Sequence, residues 1–319
     1  MSSKIALVIG SRGQDGSLLS KSLLSKNYRV VGLARQKTEP SDTQLRLGIE
    51  KDIIQVKGDI TNPKDIDDLI IKYQPQEIYN FAAQSSVGKS FSLPKETIES
   101  IVQGTINVLE TTKNLDFQGR TFFAGSSEIF GETEQAATIN NSHNPQSPYA
   151  IAKQTSFNLV KFYRETYGIN CVTGVLFNHE SPYRSAHFVT QKIISGALKC
   201  SRNKSHEITI GNINIARDWG WAEEYIDAIQ LITNSNIVKD QLICTGISTT
   251  LKRFIEITFN KLDLNWKDHI KSNKKLFRKS EILHSYGNPL QLKKDLNWEP
   301  IIYIEEIIER LIEDHIEIK

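Results

Sequence analysis

The stretch GSRGQDG, residues 10–16, constrains this chain more than any other. An apolar, β-branched run, KIALVIG, leads into it, and GQDGSLLSKSLLSK follows with leucines at helical spacing. Gly10, Gly13 and Gly16 therefore stand between a strand and a helix. Glycine permits a tight turn there and lets the backbone come close to a pyrophosphate. The helix that follows offers unpaired N–H groups and the positive end of its dipole. A glycine pattern alone is a weak signal, and the flanking strand and helix give it meaning. The spacing predicts a dinucleotide site, set against a purely structural turn.

The rest of the first half keeps the same rhythm. YRVVGLA, IIQVKGDI, EIYNFAA and RTFFAG read as strands; a helix opens near Asn62 and Pro63, and a longer one runs from about residue 94 to 113. Strands alternating with helices predict a parallel sheet covered on both faces. Right-handed crossovers then make it doubly wound, an α/β fold of the Rossmann kind. After about residue 178 the alternation breaks. FNHESPYRSAHF reads as a loop, and helical patterns return in FVTQKIISGALK, AEEYIDAIQLIT and IEEIIERLIEDHI. The expected division is a dinucleotide-binding domain over 1–178 and a smaller C-terminal α/β substrate-binding portion over 179–319. One segment of the latter is expected to return to the main sheet.

A length of 319 residues suits a large domain with a smaller one appended. The net charge of +2 gives no electrostatic case for nucleic acid or a membrane surface. No apolar stretch is long enough to cross a bilayer. Cys171, Cys200 and Cys244 are far apart, with no CxxC pair, which argues against a disulfide framework or a zinc site. That usage fits a reducing compartment. The apolar run in MSSKIALVIG is too short for a signal peptide, so a cytoplasmic location is expected. The lysines of KSNKKLFRK, residues 271–279, read as a solvated face or as a site for a phosphate-bearing ligand.

Three further stretches carry chemistry. GLAR ends the second strand with Arg35, and Lys37 follows, where a site for NAD usually has an acidic residue. A guanidinium suits a 2′-phosphate, so NADP is the expected cofactor. Asp59 and Ile60, at the end of the third strand, are candidates for the adenine edge. SPYAIAK supplies Tyr149 and Lys153, four apart and so on one helix face. An ammonium near a phenol is expected to lower the tyrosine pKa. Such a tyrosine takes a proton from a sugar hydroxyl. GSSEIFG, residues 125–131, puts Glu128 at a strand end, as a catalytic base or as a solvated loop carboxylate.

GSRGQDGS, GDIT, IYNFAAQSSV, GSSEIFG, SPYAIAK, FNHESPYRSAHFVTQKI, ARDWGWAEEYIDA and LNWEP together resemble the GDP-mannose 4,6-dehydratase family, within the extended short-chain dehydrogenases/reductases. The match spans nearly the whole chain, and its most specific pieces are FNHESP with FVTQKI, and RDWGWA. The resemblance implies NADP, bound by Gly10, Gly13, Gln14, Asp15, Gly16, Arg35, Asp59, Ile60, Ala82, Tyr149 and Lys153. It implies a GDP-sugar held by Ser85, Asn178, Arg184, Arg217, Arg278 and Glu281, and no metal. Catalysis would rest on Ser126, Glu128, Tyr149 and Lys153. Tyr149 and Lys153 would help oxidise the sugar at C4, with Ser126 beside the C4 oxygen. Glu128 would take the C5 proton, water would leave from C6, and hydride would return to C6. His179 reads as a hydrogen-bonded structural histidine rather than a ligand or an acid.

Four departures from the family pattern stand out. Gln36 replaces the second of a paired arginine, in a shortened loop that the family uses for tetramer contacts. A homo-oligomer is expected, as dimer or tetramer. Phe130 stands where tyrosine is usual and Tyr183 where arginine is usual, and residues 262–285 are short. These changes leave open a GDP-heptose or another GDP-hexose. The enzymatic rival is a reductase or epimerase of 4-keto GDP-sugars; a reductase would consume NADPH stoichiometrically. The rival from another class is an NADP-binding sensor or assembly protein that has lost catalysis.

Overall fold

The computed structural model describes residues 3–35 and 39–317. β1 (Ile5–Ile9) leads through the glycine turn to α1 (Gln14–Ser25), β2 (Arg29–Ala34), α2 (Asp42–Leu47) and β3 (Ile53–Lys57). Then come α3 (Pro63–Tyr73), β4 (Glu77–Asn80), the short α4 (Val87–Ser90) and α5 (Pro94–Ile98), α6 (Gly104–Asn114) and β5 (Arg120–Ala124). α7 (Pro148–Tyr167), β6 (Cys171–Leu176), β7 (Asn178–Glu180), α8 (Val189–Arg202), β8 (Ile208–Ile210), β9 (Ala216–Trp221), α9 (Ala222–Asn234) and β10 (Gln241–Ile243) follow. β11 (Ser248–Thr250), α10 (Leu251–Asn260), β12 (Ile270–Ser272), β13 (His284–Ser285), α11 (Leu290–Leu296) and α12 (Ile304–Glu317) come last.

Seven strands form one parallel sheet in the order β10-β6-β5-β4-β1-β2-β3. This is the doubly wound sheet that the alternation predicts. The order reverses between β1 and β4, and ligands of such folds bind beyond the strand ends at that switch point. Leu19 and Leu23 of α1 pack with Tyr225 and Ile229 of α9 on one face of the sheet. Ile66, Leu69, Val108, Leu109 and Val160 cover the other. β11, β9 and β13 form a small second sheet, and β7 also pairs with β9. Ile194, Phe254, Phe259, Ile308 and Leu311 build a separate core beneath α8, α10 and α12. The three cysteines are buried and unpaired.

Two segments differ from the sequence expectation. The single helix expected over 94–113 is split, because Glu99–Gln103 is π-helical between α5 and α6. Such segments recur near functional sites, and Ser100 from this one borders the main cleft. FNHESP is not all loop: Asn178 to Glu180 pair in parallel with Trp219 to Trp221. Three residues are too few to show a strand period, and the partner lies far along the chain.

α7 is fixed to the sheet by a buried ion pair. Arg164 donates from Nη1 and Nη2 to the two carboxylate oxygens of Asp240, at 2.9 and 2.6 Å. The same guanidinium reaches the Cys171 carbonyl at 3.0 Å, and Asp240 Oδ1 accepts from Thr173 N at 2.7 Å. The side chains are only 14% and 6% exposed, so removing one partner strands the other charge. Asp240→Ala is therefore expected to cost about 3–5 kcal/mol of unfolding free energy, read from denaturant curves. A loss below about 1 kcal/mol would mean that the pair does no more than a surface contact.

Candidate active site

The glycine turn closes only because two of its residues lack Cβ. Gly10 has φ +88°, and a Cβ on it would lie 2.9 Å from Ala82 N. A Cβ on Gly16 would lie 2.3 Å from the Gly10 carbonyl oxygen. α1 then starts after Gly13 with no side-chain cap, so its first N–H groups are left for another acceptor. Gly10 N donates to Leu33 O at 2.9 Å and Gly58 N to Ala34 O at 3.2 Å, which draws the ends of β1, β2 and β3 together. Gly10, Gly13, Gln14, Asp15, Gly16, Arg35, Asp59, Ile60 and Ala82 all border one cleft of about 920 Å³. Arg35 is half-exposed, 3.7 Å from Glu96. Lys37 and Gln36 lie outside the described residues.

The same cleft is bordered by Ser126, Glu128, Tyr149 and Lys153. Ser147 caps α7 by accepting from Ala150 N, and Pro148 occupies its first turn, so SPYAIAK starts the helix that carries Tyr149 and Lys153. RTFFA ends β5, and a single 3-10 turn over Ser127–Ile129 sets the half-buried Glu128 on the cleft wall. Its backbone N–H donates to Ser126 Oγ at 3.3 Å.

The expectation that Lys153 lowers the Tyr149 pKa is not met. Burial pushes the phenol up to about 12; the Ser126 hydroxyl and the Arg184 charge pull it down, and the Glu128 charge adds to the rise. Lys153 Nζ is 5.8 Å from the tyrosine ring centre and donates to the Ala124 carbonyl at 2.7 Å. Burial also lowers Lys153 to about 8, with the Asp15 charge opposing. Desolvation is the largest cause in both groups.

Ser85, Asn178, Arg184, Arg217 and Arg278 border the cleft as well, and Glu281 does not. Glu281 faces Arg278, 4.0 Å from its Nε. Arg278 is exposed, and the lysines of 271–279 stand off the cleft on the exposed surface. Arg217 is 4% exposed. Its Nη1 donates to Ala216 O at 2.9 Å, while Nη2 is buried without a partner. Strand alternation puts Arg217 and Trp219 on the cleft side of β9. Asp218 points the other way, to Thr245 and Gly246. Arg184 donates to the His179 carbonyl at 2.7 Å, lies 3.2 Å from the buried Glu180 and stacks 4.0 Å over Phe188. Phe130 is not in the cleft: it is 3% exposed and packs with Val175 and Phe177. Tyr183 borders the cleft, with Arg46 4.8 Å over its ring.

His179 is a hydrogen-bonded structural histidine, as its residue reading expects, and its partner is Asp15. Its Nδ1 lies 2.8 Å from the Phe177 carbonyl and its Nε2 lies 3.0 Å from Asp15 Oδ1. Both nitrogens face acceptors, so both donate only when the ring is protonated, the form that the Asp15 carboxylate favours. Ser181 Oγ donates to Gln14 Oε1 at 2.8 Å beside it. The first turn of α1 is thereby bolted to β7 and to Ser181 just after it. The spacing of GQDG and NHES in sequence gives no hint that they meet.

This pair sets a pH window. Burial raises the Asp15 pKa, but the His179 charge and hydrogen bond hold it at about 2, below its ordinary 3.8. Burial lowers His179, yet Asp15 leaves it raised above its ordinary 6.5. The Asp15 contribution is present above pH 3.8 and fades as pH falls toward 2. The His179 contribution is complete below pH 6.5 and fades as pH rises through the folded value. Asp15→Asn should therefore destabilise most between about pH 4 and 6.5, by roughly 2 kcal/mol, and less on either side. Denaturant curves across pH test this, and a difference that does not vary with pH contradicts it.

Comparison with known proteins gives the family. The sequence model described as GDP-mannose 4,6 dehydratase matches residues 7–311. GDP-mannose 4,6 dehydratase 1 of Arabidopsis thaliana is 34% identical over 327 residues, covering 99% of this chain and 90% of that one. GDP-mannose 4,6-dehydratase of Vibrio cholerae serotype O1 is 30% identical, covering 99% and 95%. Among solved structures, a dTDP-glucose 4,6-dehydratase of Streptomyces venezuelae with NAD and TYD bound superposes with a TM-score of 0.88 at 20% identity, covering 98% and 97%. A UDP-glucose 4-epimerase of Thermotoga maritima gives 0.87 at 19% identity, covering 98% and 99%. The structural likenesses establish the doubly wound fold; the family match and the curated relatives establish that the chain belongs to the GDP-mannose 4,6-dehydratase family.

Proposed function

We propose that this protein is a GDP-sugar 4,6-dehydratase that acts on GDP-mannose and uses NADP. The observation that carries the reading is the meeting of Ser126, Glu128, Tyr149 and Lys153 in one cleft with the glycine turn and the buried Arg217. The names of the curated relatives support the sugar nucleotide. NAD in solved structures of the same fold supports a nicotinamide cofactor. NADP over NAD rests on Arg35. Buried thiols without disulfides suit a cytoplasmic enzyme.

The residues present fit such a cofactor. The turn at Gly10 and Gly16 allows close backbone approach, and the uncapped start of α1 offers N–H groups to a pyrophosphate. A bound nicotinamide would supply an acceptor for hydride from C4 and the source of its return to C6. Burial holds Tyr149 protonated at neutral pH, so it must release its own proton to solvent before Tyr149 Oη, as the phenolate that the Arg184 charge favours, takes the C4 hydroxyl proton; that proton is the one C5 regains when hydride returns to C6. The Ser126 hydroxyl donates to the C4 oxygen as charge develops there. Once C4 is a ketone the C5 proton is acidic, and Glu128 takes it. The protonated Glu128 then gives that proton to the C6 hydroxyl, which leaves as water. Arg217 Nη2 is a buried donor with no protein acceptor, and a nucleotide phosphate satisfies it.

Glu128→Gln keeps the shape and removes the base. Water elimination from GDP-mannose is expected to fall by about 10²–10⁴-fold. Calorimetric affinity for the nucleotide sugar is expected to stay within about threefold, since the phosphate contacts are untouched. Retained turnover in the variant would remove Glu128 from the mechanism.

A further inference from the structure

We infer that Gln84, in the loop between β4 and α4, is a positioning residue for the catalytic Tyr149. The inference rests on the dehydratase reading above and names a residue which that reading does not use.

The loop lays its residues along the cleft on both sides of Gln84. Ala82, Ala83, Ser85, Ser86 and Val87 border the cleft, and Gln84 does not. Its side chain bonds within the protein instead. Nε2 donates to Ser86 O at 2.9 Å and to Thr97 Oγ1 of α5 at 3.1 Å. Oε1 accepts from Ser86 N. Thr97 is fully buried and donates its own hydroxyl hydrogen to Leu93 O at 2.8 Å, so its oxygen is left to accept. Gln84 N donates to Ser100 Oγ at 3.4 Å, and that hydroxyl donates to Thr97 O at 3.2 Å. One residue therefore ties the loop to α5 and to the π-helical turn over Glu99–Gln103.

Those elements wall in the tyrosine. Tyr149 forms one apolar cluster with Ile101 and Ala152, and Ala83, Val87 and Val102 pack against it. Ala83 and Val87 flank Gln84 in the loop, and Ile101 and Val102 belong to the π-helical turn. The Lys153 ammonium is given to the Ala124 carbonyl, so it does not fix the ring. The wall sets where Tyr149 Oη meets the C4 hydroxyl, and the glutamine sets the wall. The position calls for two donors and an acceptor on one planar group, which a primary amide supplies. Methionine has the length and none of those groups, and it would leave the Ser86 N–H and C=O to find other partners. A shift of about 1 Å at a reacting group can cost about a hundredfold in rate.

The test is turnover of GDP-mannose per cofactor-loaded site, with loaded sites counted by calorimetric titration of NADP⁺. Gln84→Met is expected to slow it by about ten- to a hundredfold, with KM within about fivefold because Asn178 and Arg217 stand on β7 and β9. In that variant C4-deuterated GDP-mannose should turn over more slowly than the ordinary sugar, because hydride removal from C4 then limits the rate. Thr97→Val takes away one of the Gln84 bonds and keeps the shape of the threonine. It should slow turnover per site by about threefold, and it decides the matter if Gln84→Met binds no cofactor. Fewer loaded sites in Gln84→Met with unchanged turnover per site would make Gln84 merely structural and overturn the inference. Equal rates with the two sugars, or unchanged turnover in Thr97→Val, would overturn it while sparing the dehydratase reading. An unaltered protein that binds cofactor and GDP-mannose and forms no dehydrated product would overturn the function proposal and this inference together.

Discussion

A side chain on residue 16 would lie 2.3 Å from the Gly10 carbonyl oxygen, and one on residue 10 would press on the backbone at Ala82. Everything at the site depends on that close approach. It lets β1 run directly into α1 at the switch point of the sheet, with the helix N–H groups facing the cleft. It also presents Asp15 on the first turn of α1, where His179 reaches it from β7. The glycines thus serve two ends at once: they clear space for a phosphate and they dock the substrate-binding elements. Replacing either by alanine strains backbone against backbone, which no rotamer change can relieve.

Burial governs the chemistry of the cleft. Tyr149, Lys153, His179 and Arg217 are all less than a tenth exposed. Desolvation drives the phenol up to about 12 and the ammonium down to about 8, so each is pushed toward its neutral form. The Asp15–His179 pair resists the same pressure because its charges are in contact and fully hydrogen-bonded. Two outcomes of one principle therefore stand side by side: the paired carboxylate is held ionised, and Tyr149 and Lys153 are shifted toward their neutral forms. Arg217 also stays charged under burial, and its Nη2, left without a protein partner, marks where an anion would be most strongly held.

Much of this was legible in the sequence because it is local. Strand, glycine turn and helix follow one another in KIALVIGSRGQDGS, and the serine and proline of SPYAIAK start a helix whose first turns carry the tyrosine and the lysine. The alternation of the first half gave the parallel sheet. What was not legible is nonlocal. Nothing in the spacing joins Asp15 to His179, or the three residues of β7 to β9. The helix split at Glu99–Gln103 carries no glycine or proline inside the segment to announce it. The Tyr149 shift was misjudged because a pair distance was inferred from helix spacing alone. Four residues apart puts two side chains on one face, but Lys153 turns its ammonium to the Ala124 carbonyl, and depth of burial cannot be read from spacing. Phe130 stands where the family pattern has tyrosine, and in the fold it packs into the core with Val175 and Phe177.

The central claim is that one cleft removes water from a GDP-sugar without net use of its cofactor. The direct measurement is mass spectrometry of a panel of GDP-sugars, GDP-mannose included, each incubated with the protein and a catalytic amount of NADP⁺, with absorbance followed for NADPH. The account predicts loss of one water from GDP-mannose and no net NADPH. Cofactor and sugar nucleotide both bound, with no mass change in any member of the panel, would contradict it. So would a product whose formation consumes NADPH mole for mole.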